Sequence, residues 1–305
     1  EDKMDLNFFK KTRILDGGMG QELLARGMEA NGTLWSANAL LNKKYHKLLL
    51  DTHVDFIKAG AEAIVTTTFT TRKERLKDNN VEDKFEYLNK KAGEIAQDAR
   101  KLYPHVLVAG GLPPQYLTYE ADPRPENEIE ENFNSQAKIL NPYVDFFYFD
   151  VLSSIREFEI AIDCINEFNK PYLVGAHISK GTSLPSGEKI SQIVSDIKHN
   201  NLLGVILSCV SPENYELNQN EIKRLGVPFG FKLNAFIETN PKPNFTGSVL
   251  STKTGNPNEF LGQRKDLTPS KMAEFAKKFK ESGATILGGC CETRPAHIME
   301  MTKLI

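Results

Sequence analysis

Three cysteines stand where thiolate chemistry could be done: Cys209, Cys290 and Cys291. Zinc takes thiolates, and a catalytic zinc keeps three protein ligands and one open position. Three thiolates leave a Zn2+ centre anionic, so it activates water poorly. It does favour the deprotonated form of a further bound thiol. The chemistry that suits it is attack by a substrate thiolate on a cationic electrophile, because charge then disappears in a dry pocket. Cys290 and Cys291 are adjacent, and neighbours on a regular strand face opposite ways. They must sit where a strand breaks, with Gly288-Gly289 supplying the freedom. The plain alternative is three small buried residues. Cys164 lies alone in a helical pattern and reads as core.

Other residues qualify. Asp16-Gly17-Gly18-Met19-Gly20 follows a short apolar run. Such a turn exposes backbone N–H groups to a carboxylate or phosphate, or is simply structural. It lacks the G-x-G-x-x-G of dinucleotide sites. Asp150 follows the run Phe146-Phe147-Tyr148-Phe149 and could hold a substrate ammonium, or serve as a charge at a helix N-terminus. Trp35, the single tryptophan, could pack against a cationic methyl donor or fill core. His177 reads as a rim histidine without a ligand role.

Strands are expected near 12–16, 61–67, 106–110, 144–150, 172–177, 204–209, 228–234 and 284–288. Helical patterns separate them. In 81–102 the residues Val81, Phe85, Leu88, Ala92, Ile95, Ala99 and Leu102 step by three and four. In 155–168 a second stripe follows Ser154 and Glu157, which have capping-box spacing. Ser211-Pro212 and Thr268-Pro269 read as helix starts. Strand–helix alternation over 305 residues predicts an α/β fold, a (β/α)8 TIM barrel, with a doubly wound sheet as the alternative. No linker divides the chain, so one domain over 1–305 is expected. Active residues of such a barrel gather at the C-terminal ends of strands. Asp16, Asp150, Cys209, Cys290 and Cys291 all fall there. The irregular stretch 235–267 is long enough to be functional.

Lys plus Arg number 38 against 40 Asp plus Glu, a net charge of −2. No global field therefore attracts nucleic acid or an anionic membrane. No apolar run reaches the length of a spanning helix, and the charged start has no apolar leader, so a cytoplasmic protein is expected.

The motifs resemble those of the zinc-dependent homocysteine S-methyltransferases. Leu15-Asp16-Gly17-Gly18-Met19-Gly20-Gln21-Glu22-Leu23 is similar to that family's opening signature. Gly288-Gly289-Cys290-Cys291-Glu292-Thr293-Arg294-Pro295-Ala296-His297-Ile298 is similar to its closing zinc signature. Ser208-Cys209-Val210-Ser211-Pro212-Glu213 sits at its first zinc cysteine, and Thr66-Thr67-Thr68-Phe69 also matches in place. The similarity spans about Ile14 to Ile298. It implies a barrel with Zn2+ on Cys209, Cys290 and Cys291 at the strand C-terminal ends. It implies homocysteine bound through sulfur, its amino-acid end near Asp16 and the Gly17-Gly18-Met19 backbone. Asp150 stands where the family has a glutamate for the substrate amino group, and Trp35 matches a tryptophan near the donor in the betaine-using branch. Ser208 replaces an asparagine. Phe231-Lys232-Leu233-Asn234-Ala235 departs from a Tyr-Pro-Asn pattern.

The expected reaction is methyl transfer from a small onium donor to homocysteine, giving methionine. S-Methylmethionine, S-adenosylmethionine, betaine and dimethylsulfonio compounds are the donors considered. The chain has no room after the zinc signature for folate and cobalamin modules, nor for a long tetramer-building extension, so a monomer or homodimer is expected. Two other readings are a diverged zinc- or thiol-binding barrel without methyl transfer, and a barrel lyase or isomerase with phosphate on Gly17–Gly20.

Overall fold

Phe146 to Leu152 shows how the strands arise. Alternate residues of a strand face opposite sides. Phe146 and Tyr148 join one buried cluster with Leu15, Ala63, Ala109, Leu173, Ile206 and Ile286. Phe147 and Phe149 join a second cluster, among residues of the surrounding helices. A strand apolar on both faces must be covered on both, which parallel sheets wrapped by helices achieve.

The computed structural model describes residues 4–178, 180–197, 200–238 and 261–305. All eight expected strands form: β1 (Arg13–Ile14), β2 (Ala63–Val65), β3 (Leu107–Leu112), β4 (Phe146–Leu152), β5 (Tyr172–Ala176), β6 (Leu202–Val210), β7 (Phe229–Leu233) and β8 (Ile286–Gly289). They pair in parallel in the order β1-β8-β7-β6-β5-β4-β3-β2. A parallel bridge between Leu15 and Ala63 closes β1 onto β2. The sheet is therefore a (β/α)8 barrel, and the doubly wound alternative is set aside. Phe9 plugs the N-terminal end of the barrel, edge-on to Phe146 at 6.2 Å.

The outer ring carries α1 (His46–Lys58), α2 (Phe85–Leu102), α3 (Glu126–Leu140), α4 (Ile155–Ile165), α5 (Gln192–Asp196), α6 (Pro212–Lys223), α7 (Pro269–Glu281) and α8 (Pro295–Thr302). The first turn expected of the 81–102 helix winds instead as a 3-10 turn, Glu82–Lys84, the tighter form common at helix ends. Ser211 and Thr268 cap α6 and α7, each side chain accepting from a backbone N–H three residues on. Ser154 caps α4 likewise. The Glu157 carboxylate, however, accepts from the Ser154 hydroxyl and the Asp122 N–H, so this spacing builds a tie between loops. Cys164 is buried in the core, as expected. Of the irregular stretch 235–267, residues 239–260 lie outside the described residues. No helix among the described residues is long and apolar enough to cross a membrane.

Candidate metal centre and substrate pocket

β8 ends at Gly289, and Cys290 and Cys291 follow in the turn beyond it. Strand regularity has lapsed there, so both sulfurs can face the same way. Cys209 reaches them by another route. Opposite β7, Ser208 pairs with Lys232 and Val210 with Leu233, so Cys209 is an extra residue in β6. It has φ 54°, and this bulge re-aims its side chain. The three sulfurs lie within 4.8 Å of one another. Cys209 Sγ is 2.6 Å from Cys290 Sγ and 3.9 Å from Cys291 Sγ, and no disulfide joins them. Two sulfurs on one tetrahedral zinc stand about 3.8 Å apart, given bonds near 2.3 Å. The Cys209–Cys291 separation matches that value, and the Cys209–Cys290 one is tighter.

The thiols also fit a cation electrostatically. Hydrogen bonds from Cys290 and Cys291 hold the Cys209 thiol well below its ordinary range. The hydrogen bonds they share with Cys209 push the other two well above theirs, with burial and the field of Cys209 adding to the rise. A bound cation would favour the ionised form of all three. The Tyr119 hydroxyl donates to Cys209 Sγ at 3.7 Å, and the Tyr119 ring stacks on His177 with centroids 4.4 Å apart. His177 is not in the sulfur cluster, and burial pulls its pKa down to about 4.

One cavity brings together the residues given a metal or substrate role from the sequence, and leaves out His177 and Cys164. Asp16, Gly17, Gly18, Met19, Trp35, Asp150, Cys209, Cys290 and Cys291 all line it, at the strand C-terminal ends. Backbone strain marks the same place. Eight non-glycine residues among those described have positive φ, and three are asparagines, which tolerate it. The other five are Trp35, Tyr119, Val151, Cys209 and Glu292. The first four of these line the cavity, as expected where strain is stored for function. Val151 belongs to a second bulge, for β4 carries an extra residue between Phe149 and Leu152 opposite β5.

Lys232 was noticed in the sequence only as part of a departure. Its ammonium is buried and donates to Asp16 Oδ1 at 2.7 Å. The other oxygen of Asp16 accepts from the Val65 N–H at 2.9 Å. Burial draws the Lys232 pKa down, but Asp16 and Asp150 more than restore it, and it ends above the ordinary lysine value. Burial pushes Asp150 up to about 6, only partly offset by Lys232 and by a hydrogen bond from Tyr148. Tyr148 also shares a short hydrogen bond with Ser208, so the serine ties two strand ends together.

The opening and closing motifs pack on each other. A Cβ at Gly18 would stand 2.5 Å from the Cys290 carbonyl oxygen, and one at Gly20 would stand 2.1 Å from the Trp35 ring. Both glycines are thus required by close approach. The Gly18 N–H donates to Thr293 O at 2.9 Å. Glu22 is buried between Arg294 and Arg26, and these two hold its carboxyl low against the burial that would raise it. Trp35 meets Phe69 edge-to-face at 6.3 Å, and together they form an aromatic wall of the cavity. Thr118, Tyr119 and Lys232 also line it. Sequence reading gave Thr118 and Tyr119 no role because neither belongs to a motif, and gave Lys232 none although a lone lysine in an apolar strand run was a signal.

The model of the homocysteine S-methyltransferase family matches residues 13–305. The homocysteine S-methyltransferase 1 of Saccharomyces cerevisiae is 25% identical over 97% of this chain and 94% of its own. The selenocysteine methyltransferase of Astragalus bisulcatus is 23% identical over 97% of this chain and 93% of its own. The metallated Escherichia coli homocysteine methyltransferase MmuM has a TM-score of 0.79 at 19% identity, covering 98% of this chain and 99% of that one. That last likeness shows a common fold.

Proposed function

The chain belongs to the homocysteine S-methyltransferase family, and from that premise we propose that it methylates homocysteine from a small onium donor, giving methionine, with Zn2+ on Cys209, Cys290 and Cys291. It is an enzyme, and methyl transfer to homocysteine is the family's reaction. The observation that carries the metal assignment is three sulfurs, from two strand ends, within 4.8 Å of one another on the cavity wall.

Bound there, zinc would keep the substrate sulfur a thiolate near neutral pH. Asp150 faces the substrate ammonium, and the Gly17-Gly18-Met19 turn lies at the carboxylate end, with the Gly18 N–H itself held by Thr293 O. Asp16 acts through Lys232, which it holds in place. Trp35 lies on the donor side, where its π face attracts a cationic methyl group. The thiolate attacks the methyl carbon in line. A sulfur–carbon bond forms as the bond to the donor's positive sulfur or nitrogen breaks, and the donor leaves as a neutral thioether or amine. No general base is needed on this chain, because the metal, when bound, would let the thiol release its proton to solvent water. Alignment of thiolate and methyl inside the cavity supplies much of the rate. The donors considered are S-methylmethionine, S-adenosylmethionine, betaine and dimethylsulfonio compounds. We read residues 1–305 as one catalytic barrel unit, a cytoplasmic monomer or homodimer without nucleic-acid or membrane partners. Free thiols suit a reducing compartment.

The test is methionine formation, read by mass spectrometry, from homocysteine and each donor separately. Reduced, zinc-loaded protein should give methionine with at least one donor, and Cys290→Ser should lose zinc and turnover together. No methionine from any donor, with zinc bound, overturns the reaction. Full zinc and full turnover in Cys290→Ser overturns the ligand set.

A further inference from the structure

Lys232 is the only cation among the described residues that line the cavity. It falls in the segment that departs from the Tyr-Pro-Asn pattern, so it is this chain's own feature. An ammonium has three N–H donors and no acceptor. One donates to Asp16 Oδ1 at 2.7 Å. The other two meet no acceptor among the described residues, although the side chain is only 9% exposed. The Tyr148 ring stands 5.6 Å from the ammonium, a contact that offers no lone pair. Donors left without an acceptor in a nearly dry site are costly, and an anion that takes them is favoured. The Gly18 N–H of the adjoining turn is already taken by Thr293 O, so Lys232 is the charged donor at that end.

Asp150 is differently placed. It accepts from Tyr148 and already has Lys232 as a counter-charge. A ligand without an ammonium therefore leaves Asp150 with partners inside the protein. A ligand without a carboxylate leaves two ammonium N–H groups of Lys232 with none. The demand of the pocket is asymmetric: its acceptor needs a carboxylate more than an ammonium.

We propose that Lys232 holds the carboxylate of the acceptor thiol, and that the pocket therefore also takes thiol carboxylates that lack an amino group. This rests on the methyl-transfer reading above, and binding without a methyl donor tests it apart from that reading. In turnover the thiolate sulfur of such an acceptor bonds to the donor's methyl carbon as the donor's sulfur–methyl or nitrogen–methyl bond breaks. The donor leaves as a neutral thioether or amine, and the thiol proton goes to water. The probes are homocysteine, γ-mercaptobutyrate, which lacks only its amino group, and homocysteamine, which lacks only its carboxylate. Calorimetry on reduced, zinc-loaded protein should find γ-mercaptobutyrate within about tenfold of homocysteine. Homocysteamine should bind at least about tenfold more weakly than γ-mercaptobutyrate, the size of one charge-assisted hydrogen bond. Asp16→Asn/Lys232→Met removes both charges of the buried pair and keeps the net charge of the pocket. In that variant the preference for γ-mercaptobutyrate should fall to about threefold or less, with homocysteamine binding no more weakly than before. A merely structural role would weaken all three thiols alike. Homocysteamine binding as tightly as γ-mercaptobutyrate to the wild type, no binding of γ-mercaptobutyrate, or a preference that survives in the double variant overturns the proposal. If the order holds and no methionine forms from any donor, the reaction is overturned and the carboxylate subsite stands.

Discussion

Lys232 changes what Asp16 can do. Sequence motifs put Asp16 at the amino-acid end of the substrate, yet both its oxygens are taken, by Lys232 and by the Val65 N–H. On the proposed reading, Asp150 is then the carboxylate left for the substrate ammonium. Both members of the Lys232–Asp16 pair are more than nine-tenths buried. Removing one partner of a buried pair strands the other charge, which costs about 3–5 kcal/mol. Lys232→Met should lose stability of that order in urea denaturation and raise the KM for homocysteine. The double variant Asp16→Asn/Lys232→Met should recover most of the stability, because neither charge remains. Equal losses in the single and double variants would show that the pair is not coupled.

At the scale of elements, bulges aim the chemistry. Cys209 and Val151 each lie at an inserted position near a strand end, where the ladder has lost its register. A second tie joins the chain after β3 to the start of α4 through Glu157, which accepts from Ser154 and Asp122. Burial raises the Glu157 pKa to about 7, only partly offset by the Ser154 hydroxyl. The sign follows from proton counts. Between the unfolded value of 4.5 and about 7 the native state holds the proton that the unfolded state has lost. Stability therefore falls as pH rises through that window, by about 3 kcal/mol in all. Glu157→Gln cannot ionise, so its stability relative to wild type should improve between pH 4.5 and 7.5. Parallel pH profiles of the two proteins in urea unfolding would refute the assignment.

For the whole molecule, closure of the barrel depends on its shortest strand. β1 has two residues, and a side chain completes its seam with β2. Glu62 accepts from the Ile14 N–H at 3.1 Å and from Arg13 at 3.0 Å, while its own N–H donates to Ile14 O. Glu62→Ala should cost about 1 kcal/mol, the net value of a lost hydrogen bond, and Glu62→Gln less. Urea midpoints read the difference, and an unchanged midpoint in Glu62→Ala would show that the Glu62 side chain does not hold the seam. Asp16 sits one turn of chain beyond this seam, so loosening it should also weaken homocysteine binding.

Local pattern was enough for much of this protein. Strand–helix alternation announced the barrel, because a strand's apolar run and a helix's stripe are written in consecutive residues. The paired motifs around Asp16 and Cys290 announced the family. Gly18 and Gly20 are visible in sequence, but their reason, the approach of Cys290 O and Trp35, is tertiary. Lys232 and Asp16 are brought together across 216 positions by the closed sheet. Arg72 and Thr118 meet because two loops after neighbouring strands fold over one cavity. A bulge that turns Cys209 inward depends on register with β7, which no single segment specifies. Periodicity and motif are properties of neighbours along the chain. Charge pairing, strain and counter-ion need are properties of neighbours in space, and only the folded barrel decides those.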